Sequence, residues 1–282
     1  MTTSTTTSPT TRTPRAPVGV LRQTLRLTRT EFTLFYRYRM ALYIAVLPAI
    51  FLLPLAVSDP VEVLPGVDTA ALSLARFFAL AAMTVGVAHV SNIYAARREQ
   101  LVLKRFRISG VPPAALFGAT TLSVLGVVSV QSAAVVAFLG ATADTLPTDP
   151  VLLVLSIVLI TVVMSLLGAF IARFARNAES AQMISMVPFL LLLAVSGFII
   201  PLEALPDGVV FVLGLLPMVP AIELAQSAYF GYDLFGGFEG AERAAGLDLW
   251  LAAAPSVLVL AAWAVVMALL LRSFQWDPRG AR

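Results

Sequence analysis

The chain has 282 residues, of which 59% are hydrophobic and only 12% are charged, and its formal net charge at pH 7 is +3. Because an ordinary soluble domain carries about 25% charged residues, this composition excludes that class and indicates an integral membrane protein. The apolar runs are long and do not alternate with polar residues, which favours membrane helices over barrel strands. The chain has no cysteine, which excludes disulfides and thiolate metal sites, and its one histidine, His89, cannot form a histidine cluster.

The N-terminal region divides into two parts. Residues 1–17 are rich in Thr, Ser and Pro, and we expect them to form a disordered tail. From Val18 to Arg39, apolar residues are interleaved with arginines. This pattern predicts an amphipathic helix in the membrane interface, with its arginines toward anionic headgroups. The alternative is a helix that only leads into the first span.

Six apolar runs follow, and each is long enough to cross a hydrocarbon core of about 30 Å. They predict an all-α membrane domain over residues 18–272, followed by a short tail at residues 273–282. We expect His89, in the second span, to hydrogen-bond a Ser, a Thr or a carbonyl, the alternative being contact with a substrate or a partner copy. The predicted spans are residues 40–57, 70–94, 114–141, 151–172, 181–200 and 249–271.

The distribution of basic residues predicts the orientation in the membrane. If the N-terminus is cytoplasmic, 17 of the 19 lysines and arginines lie on the cytoplasmic side, and only Arg76 and Arg243 lie outside. By the positive-inside rule, both termini are therefore predicted to be cytoplasmic, with the protein in the cytoplasmic (inner) membrane. The same distribution accounts for the positive net charge, so we expect no nucleic-acid partner. Arg76 lies near the outer end of its span, where its side chain can snorkel to the surface.

A basic segment, residues 97–113, lies between the second and third spans and contains the only lysine of the chain, Lys104. On a helical wheel, its apolar residues form a face that includes Phe106, but Leu101 falls among the charges. Apolar groups on both sides favour a short helix held between the membrane domain and another protein over one lying on lipid. Gly110 and the prolines after it predict where this helix ends. The alternative is a solvated basic loop.

The segment after the fifth span, residues 201–248, is also unusual. Its apolar stretch Val209–Leu216 is too short to cross a membrane and is bounded by prolines. This predicts short re-entrant helices that dip into the outer leaflet and return. The alternative is a hydrophobic outer loop packed on the bundle. The residues assigned to this outer segment are Gly197, near the end of the fifth predicted span, and Pro201, Glu203, Pro206 and Pro217.

Several kinds of chemistry are disfavoured. A phosphate-binding P-loop needs a lysine directly after a glycine, and Lys104 follows Leu103. Among Asp, Glu, His, Lys and Arg side chains the predicted spans offer only Arg76 and His89, so neither acid–base catalysis nor an intramembrane acid for ion-coupled transport is expected. These observations favour one subunit of a machine that another chain drives.

The six-span layout, the basic segment at residues 98–107 and the run from Ser196 to Pro217 together resemble the permease subunit of type-2 ATP-binding-cassette (ABC) exporters. The resemblance implies that residues 97–109 form a coupling helix, seated in a groove of a separate ABC ATPase subunit. Mg-ATP would be bound by that partner, so the chain itself would need no cofactor and would not be an enzyme. The residues implied in coupling are Arg98, Glu99, Leu101, Leu103, Lys104, Arg105, Phe106 and Arg107.

The resemblance also implies a second permease copy or a paralogue, surrounding membrane lipid, and export of a hydrophobic or amphipathic drug, lipid or glycan. The N-terminal amphipathic helix would be the interfacial connecting helix, and residues 201–229 would form the re-entrant outer helices. The sequence departs from the family's usual coupling loop, because Gln100, Leu101 and Val102 replace the common Gly and Thr positions. The alternative function is a non-transporting membrane assembly or lipid-organising protein.

Overall fold

The computed structural model describes residues 19–37, 61–198, 205–238 and 240–274, together with the isolated positions 43, 46, 48, 50 and 202. Helices dominate these residues. The predicted N-terminal tail, nearly all of the predicted first span and all but the first two residues of the predicted C-terminal tail lie outside the described residues.

The first helix, α1 (Val20–Arg37), is amphipathic and occupies the predicted position. Its buried side includes Thr24 and Glu31 and packs along the third predicted span. Leu21 and Leu25 are exposed on an adjacent side, and the arginines occupy the remaining side. Helix α1 therefore presents separate protein-facing, apolar and basic surfaces, the last two of which suit a membrane interface. Its location at that interface remains a prediction.

The second predicted span is a continuous helix of 31 residues, Thr69–Glu99, which is about 46 Å long. It consists of α2 (Thr69–Met83), a π-helical segment (Thr84–His89) and α3 (Val90–Glu99). A two-stranded antiparallel hairpin, β1 (Glu62–Leu64) and β2 (Val67–Asp68), precedes it. The Asp68 carboxylate caps α2 by accepting a hydrogen bond from the Ala71 amide at 2.7 Å. Most of this span is buried, so it lies at the centre of the described bundle.

The elements that follow are the short helix α4 (Val102–Ile108) and two long apolar helices, α5 (Pro113–Thr142) and α6 (Pro150–Ala172). Asp149 caps α6, because its carboxylate accepts hydrogen bonds from the Val151 and Leu152 amides at 3.1 and 2.9 Å. The same carboxylate accepts a hydrogen bond from the Trp250 indole at 2.7 Å. Asp149 thus ties the start of α6 to the last long helix of the chain.

Helix α6 packs closely against the π-helical segment at two glycines. A Cβ atom added at Gly86 would lie 2.7 Å from Cβ of Met164, which is too close for real atoms. A Cβ atom added at Gly168 would clash with the Gly86 carbonyl and approach the Val87 carbonyl to 3.1 Å. Small residues at both positions therefore allow the two helix backbones to approach each other, as in many membrane helix pairs.

The fifth predicted span is shorter than expected. Helix α7 (Ala178–Ala194) has 17 residues and is about 26 Å long, whereas the prediction was residues 181–200. The helix stops early because the Ser196 hydroxyl donates a hydrogen bond to the Leu193 carbonyl at 2.7 Å and Gly197 adopts a φ of +76°. Its start is set by a capping box between Asn177 and Ser180.

Two short helices, α8 (Asp207–Gly214) and α9 (Met218–Phe230), follow and are bent by 87° with respect to each other. The last long helix, α10 (Leu247–Leu270), ends in a 3-10 turn, Leu271–Ser273. Among the described residues, four helices are long and apolar enough to cross a membrane, or five if the bent pair crosses as one span. The chain is therefore a multi-pass membrane protein, and the full six-span layout remains a prediction. The four helices are Thr69–Glu99, Pro113–Thr142, Pro150–Ala172 and Leu247–Leu270.

Candidate functional site

The basic segment between the second and third spans folds as a sharp elbow, residues 97–112, that joins α3 to α5 through α4. Leu101 makes the first turn with a φ of +59°, which is rare for a residue with a side chain. Gly110 makes the second turn with a φ of +72°. The Gly110 and Val111 amides donate to the Arg107 and Phe106 carbonyls at 3.1 and 3.0 Å, which is the Schellman pattern. The predicted helix end at Gly110 is confirmed.

Helix α4 has an inner and an outer face. Leu103 is fully buried, and Phe106 is half-buried against the main core of the bundle. On the outer face, Leu101 is 43% exposed and Ile108 is 77% exposed. The basic side chains on this outer face are also exposed, and they are Lys104, Arg105 and Arg107. The apolar inner face thus holds α4 against its own membrane domain, and a mixed basic and apolar face remains accessible.

Arg97 fastens the elbow to α1. Its two terminal nitrogens donate to the two carboxylate oxygens of Glu31 at 2.6 and 2.5 Å. The side chains of Arg97 and Glu31 are only 13% and 7% exposed. A bidentate pair of this kind fixes orientation as well as distance. Glu31 was not among the residues that the sequence singled out, because its partner is 66 residues away in the chain.

Arg98 fastens the elbow to the end of α6. Its side chain is buried, and Nη2 donates hydrogen bonds to the Ala172 carbonyl at 2.8 Å and to the Ala175 carbonyl. Ala172 is the last residue of α6 and Ala175 lies in the turn that follows it. Backbone carbonyls at the C-terminus of a helix lack partners within the helix and attract cations. The coupling role expected of Arg98 stays a prediction, and the structure places its guanidinium inside the chain.

Leu103, also among the predicted coupling residues, is fully buried as well. Both Leu103 and Arg98 support the elbow from within, since neither offers surface to another subunit. Glu99 is exposed at the end of α3, next to the outer face of α4. The wheel pattern alone could not separate Arg98 from the other arginines, because the carbonyls that bind it come from a distant helix. The predicted coupling residues that remain accessible are Glu99, Leu101, Lys104, Arg105 and Arg107, with Phe106 partly so.

His89 lies at the end of the π-helical segment and contacts α1. It is buried, and its ring meets the Phe35 ring at a centroid distance of 4.6 Å and an interplanar angle of 83°. The expectation was a hydrogen bond to a hydroxyl or carbonyl, and the contact that the structure shows is an edge-to-face aromatic one. This contact and the Arg97–Glu31 pair join the same two helices.

The outer segment lies at the opposite end of the bundle from the elbow. Arg76 donates a hydrogen bond to the Gly197 carbonyl at 2.9 Å, and its snorkelling to the membrane surface stays a prediction. The Pro206 carbonyl accepts hydrogen bonds from the first turn of α8, and Pro217 precedes α9 at the bend. Pro201 and Glu203 lie outside the described residues. A half-buried acid, Glu223 on α9, was missed because its segment was assigned to the outer region rather than to the spans.

The sequence profile described as ABC-2 family transporter protein matches residues 61–272, about three quarters of the chain. The chain belongs to the ABC-2 transporter family. No curated protein matches the chain significantly. The matched region of this ABC-2 permease contains the whole elbow and the outer segment, whereas Glu31 on α1 precedes it. Within the part of the permease that the structure describes, no group of three or more His, Asp or Glu side chains could hold a metal ion.

Proposed function

We propose that this chain is the permease subunit of an ATP-driven exporter and that its elbow receives the movement of a separate ABC ATPase subunit. The observation that carries this proposal is the two-sided character of α4 in an ABC-2 family member. Leu103 seats the inner face in the permease, while Leu101, Arg105 and Ile108 stay exposed on the outer face. A short helix that exposes both apolar and basic side chains suits a protein groove better than water or lipid.

The anchors of the elbow support a rigid-lever mechanism. Arg97 ties it to α1, and Arg98 ties it to the C-terminus of α6. Helix α6 in turn packs against α2, α9 and α10. A displacement of α4 would therefore move α1 and α6 with it, and α6 would transmit the movement toward the outer segment. Such coupling needs packed elements with discrete arrangements, and close-packed membrane helices supply them.

The remaining parts of the proposal extend what the resemblance implies for this chain. Mg-ATP would be hydrolysed on the partner subunit, and a second permease copy or a paralogue would complete the membrane pathway. The substrate would be hydrophobic or amphipathic and would leave across the cytoplasmic (inner) membrane, with both termini of this chain cytoplasmic. Exposed apolar side chains along α10, such as Leu251 and Leu258, suit contact with lipid or with the second permease.

The docking proposal can be tested with the paired variant Arg105→Glu/Ile108→Ser in the complex reconstituted with its ATPase. Both side chains are exposed, so insertion and thermal stability should be unchanged. Loss of two central contacts should weaken ATPase binding by about tenfold or more and abolish transport. The matched control is Arg29→Glu, a charge reversal on the exposed side of α1.

Two results would contradict the docking proposal. One is wild-type ATPase binding and transport by the Arg105→Glu/Ile108→Ser variant. The other is failure of any ATPase to associate with the intact permease, which would favour the non-transporting alternative. Equal loss in the Arg29→Glu control would show that general surface charge, and not the outer face of α4, controls association.

A further inference from the structure

A cavity of about 310 Å³ lies at the end of the bundle opposite the elbow. Helix α9 forms one wall with Val219, Ile222 and Glu223, and the loop after α9 forms another with Phe235 and Phe238. Its lining thus combines aliphatic and aromatic side chains with a few polar groups, which is the usual composition of a small-molecule site.

Glu223 is the acid on the inner wall of this cavity. It is half-buried, and its carboxylate accepts a hydrogen bond from the Ser256 hydroxyl at 3.4 Å, which is long for a bond between oxygens. Asp233, of the same charge, acts on it electrostatically. A carboxylate in apolar surroundings is costly unless a partner compensates its charge. A positively charged ligand group would supply that compensation.

Two other charged residues, Asp207 and Arg76, line this cavity. Asp207, at the start of α8, is exposed and therefore more strongly screened by solvent. Arg76 also lines the cavity, and its guanidinium donates to the Gly197 carbonyl at 2.9 Å. Two carboxylates and one guanidinium thus contribute to the lining, and the carboxylate of Glu223 lies on the same wall as the aliphatic side chains.

We propose that this cavity binds an amphipathic organic cation, whose charged group pairs with Glu223 and whose apolar body packs on Ile222, Phe235 and Phe238. Aromatic faces attract cations as well as apolar groups, so the same rings can contact both parts of such a ligand. The site belongs to the permease chain itself, so its occupancy requires neither nucleotide nor an ATPase, and it can be tested even if the docking proposal fails.

The probe is benzyltrimethylammonium, a permanently charged cation with an aromatic body, titrated into the full-length permease in nanodiscs by calorimetry. Benzenesulfonate is the matched anion of similar size. The titrations are repeated from neutral to strongly alkaline pH, so that the series includes conditions in which the Glu223 carboxyl group is ionised. We expect saturable binding of the cation and none of the anion. Glu223→Gln should weaken cation binding by about tenfold or more, because a close charge pair in a poorly hydrated site is lost.

Two further variants keep the result interpretable. Asp207→Asn removes an exposed carboxylate and should change binding by less than about twofold. Glu223→Asp keeps a carboxylate on this wall of the cavity, so the cation should still bind and should bind more tightly than to Glu223→Gln. This second variant tests the site even if Glu223→Gln disturbs folding.

Four results would overturn the proposed cation site. Equal affinity of wild type and a folded Glu223→Gln variant would remove Glu223 from the site. Binding to a folded Glu223→Asp variant that is as weak as to Glu223→Gln would show that the negative charge is not what the cation recognises. Binding of benzenesulfonate that is abolished by Arg76→Gln would identify the cavity as an anion site. Absence of cation binding to the wild type would exclude the site altogether.

Discussion

The buried pair between Arg97 and Glu31 offers the sharpest test of how the elbow is anchored. Replacing Glu31 with Gln leaves Arg97 in place without its counter-charge. Both side chains are largely buried, and two hydrogen bonds of 2.6 and 2.5 Å are affected. Breaking a buried pair by removing one partner typically costs about 3–5 kcal/mol, because the remaining charge is left uncompensated. We therefore expect Glu31→Gln to destabilise the permease by about 3 kcal/mol.

The measurement is thermal unfolding of the full-length permease in nanodiscs. At about 2–4 °C per kcal/mol for a chain of this size, the midpoint should fall by about 6–12 °C. A double-mutant cycle with Arg97→Gln isolates the pair, and the coupling energy should be about 2–3 kcal/mol. Glu99→Gln is the matched control, since that carboxylate is exposed on the same elbow and its loss should have little effect.

Additive effects of Glu31→Gln and Arg97→Gln, within about 0.5 kcal/mol, would refute the assigned anchoring role. A transport assay then separates anchoring from folding. At a temperature where the Glu31→Gln variant remains folded, ATP hydrolysis by the complex should continue while substrate movement per ATP falls, because α1 no longer follows the elbow. Unchanged transport per ATP would show that α1 is not part of the lever.

Three further predictions concern stability, and each can be checked by the same unfolding measurement. Gly168→Leu should destabilise the fold by about 3 kcal/mol because its side chain would enter the backbone contact with the π-helical segment, whereas Gly208→Ala, with open space around it, should be neutral within about 0.5 kcal/mol. Arg98→Met should cost about 2–4 kcal/mol by leaving the carbonyls at the end of α6 without this donor, and Arg98→Lys should not restore the loss. Asp149→Ala should cost about 1–2 kcal/mol by removing a helix cap and the partner of Trp250, and a normal midpoint would contradict that dual role.

The sequence predicted the long helices and the C-terminal end of α4 because their determinants are local, whereas the turn at Leu101, after which α4 begins, was not predicted. Apolar runs of sufficient length specify membrane helices whatever surrounds them. Gly110 and the prolines after it fix the end of α4 through backbone conformation alone. The family assignment confirmed the resemblance that rested on the six-span layout, the basic segment and the run from Ser196 to Pro217.

The structure was needed to identify hydrogen-bond partners that are far apart in the sequence. Arg98 looked like any other arginine of a basic segment, but the carbonyls that it binds are 74 and 77 residues away. Glu31 looked like one acid on an arginine-rich helix, and nothing local identified Arg97 as its partner. The early end of α7 depended on one serine hydroxyl and one glycine φ angle, which hydropathy does not register.

The π-helical segment at Thr84–His89 determines the directions in which the side chains of α3 point around the helix axis. A π-helical turn accommodates one residue more than an α-helical turn, and each residue of an α-helix turns the chain by about 100°. Deleting a single residue there would let the span close into regular α-helix and would swing α3 by roughly that angle relative to α2. The side chains of Arg97 and Arg98 would then point away from α1 and α6, so that one deletion deep in the bundle would disconnect both anchors of the elbow at once.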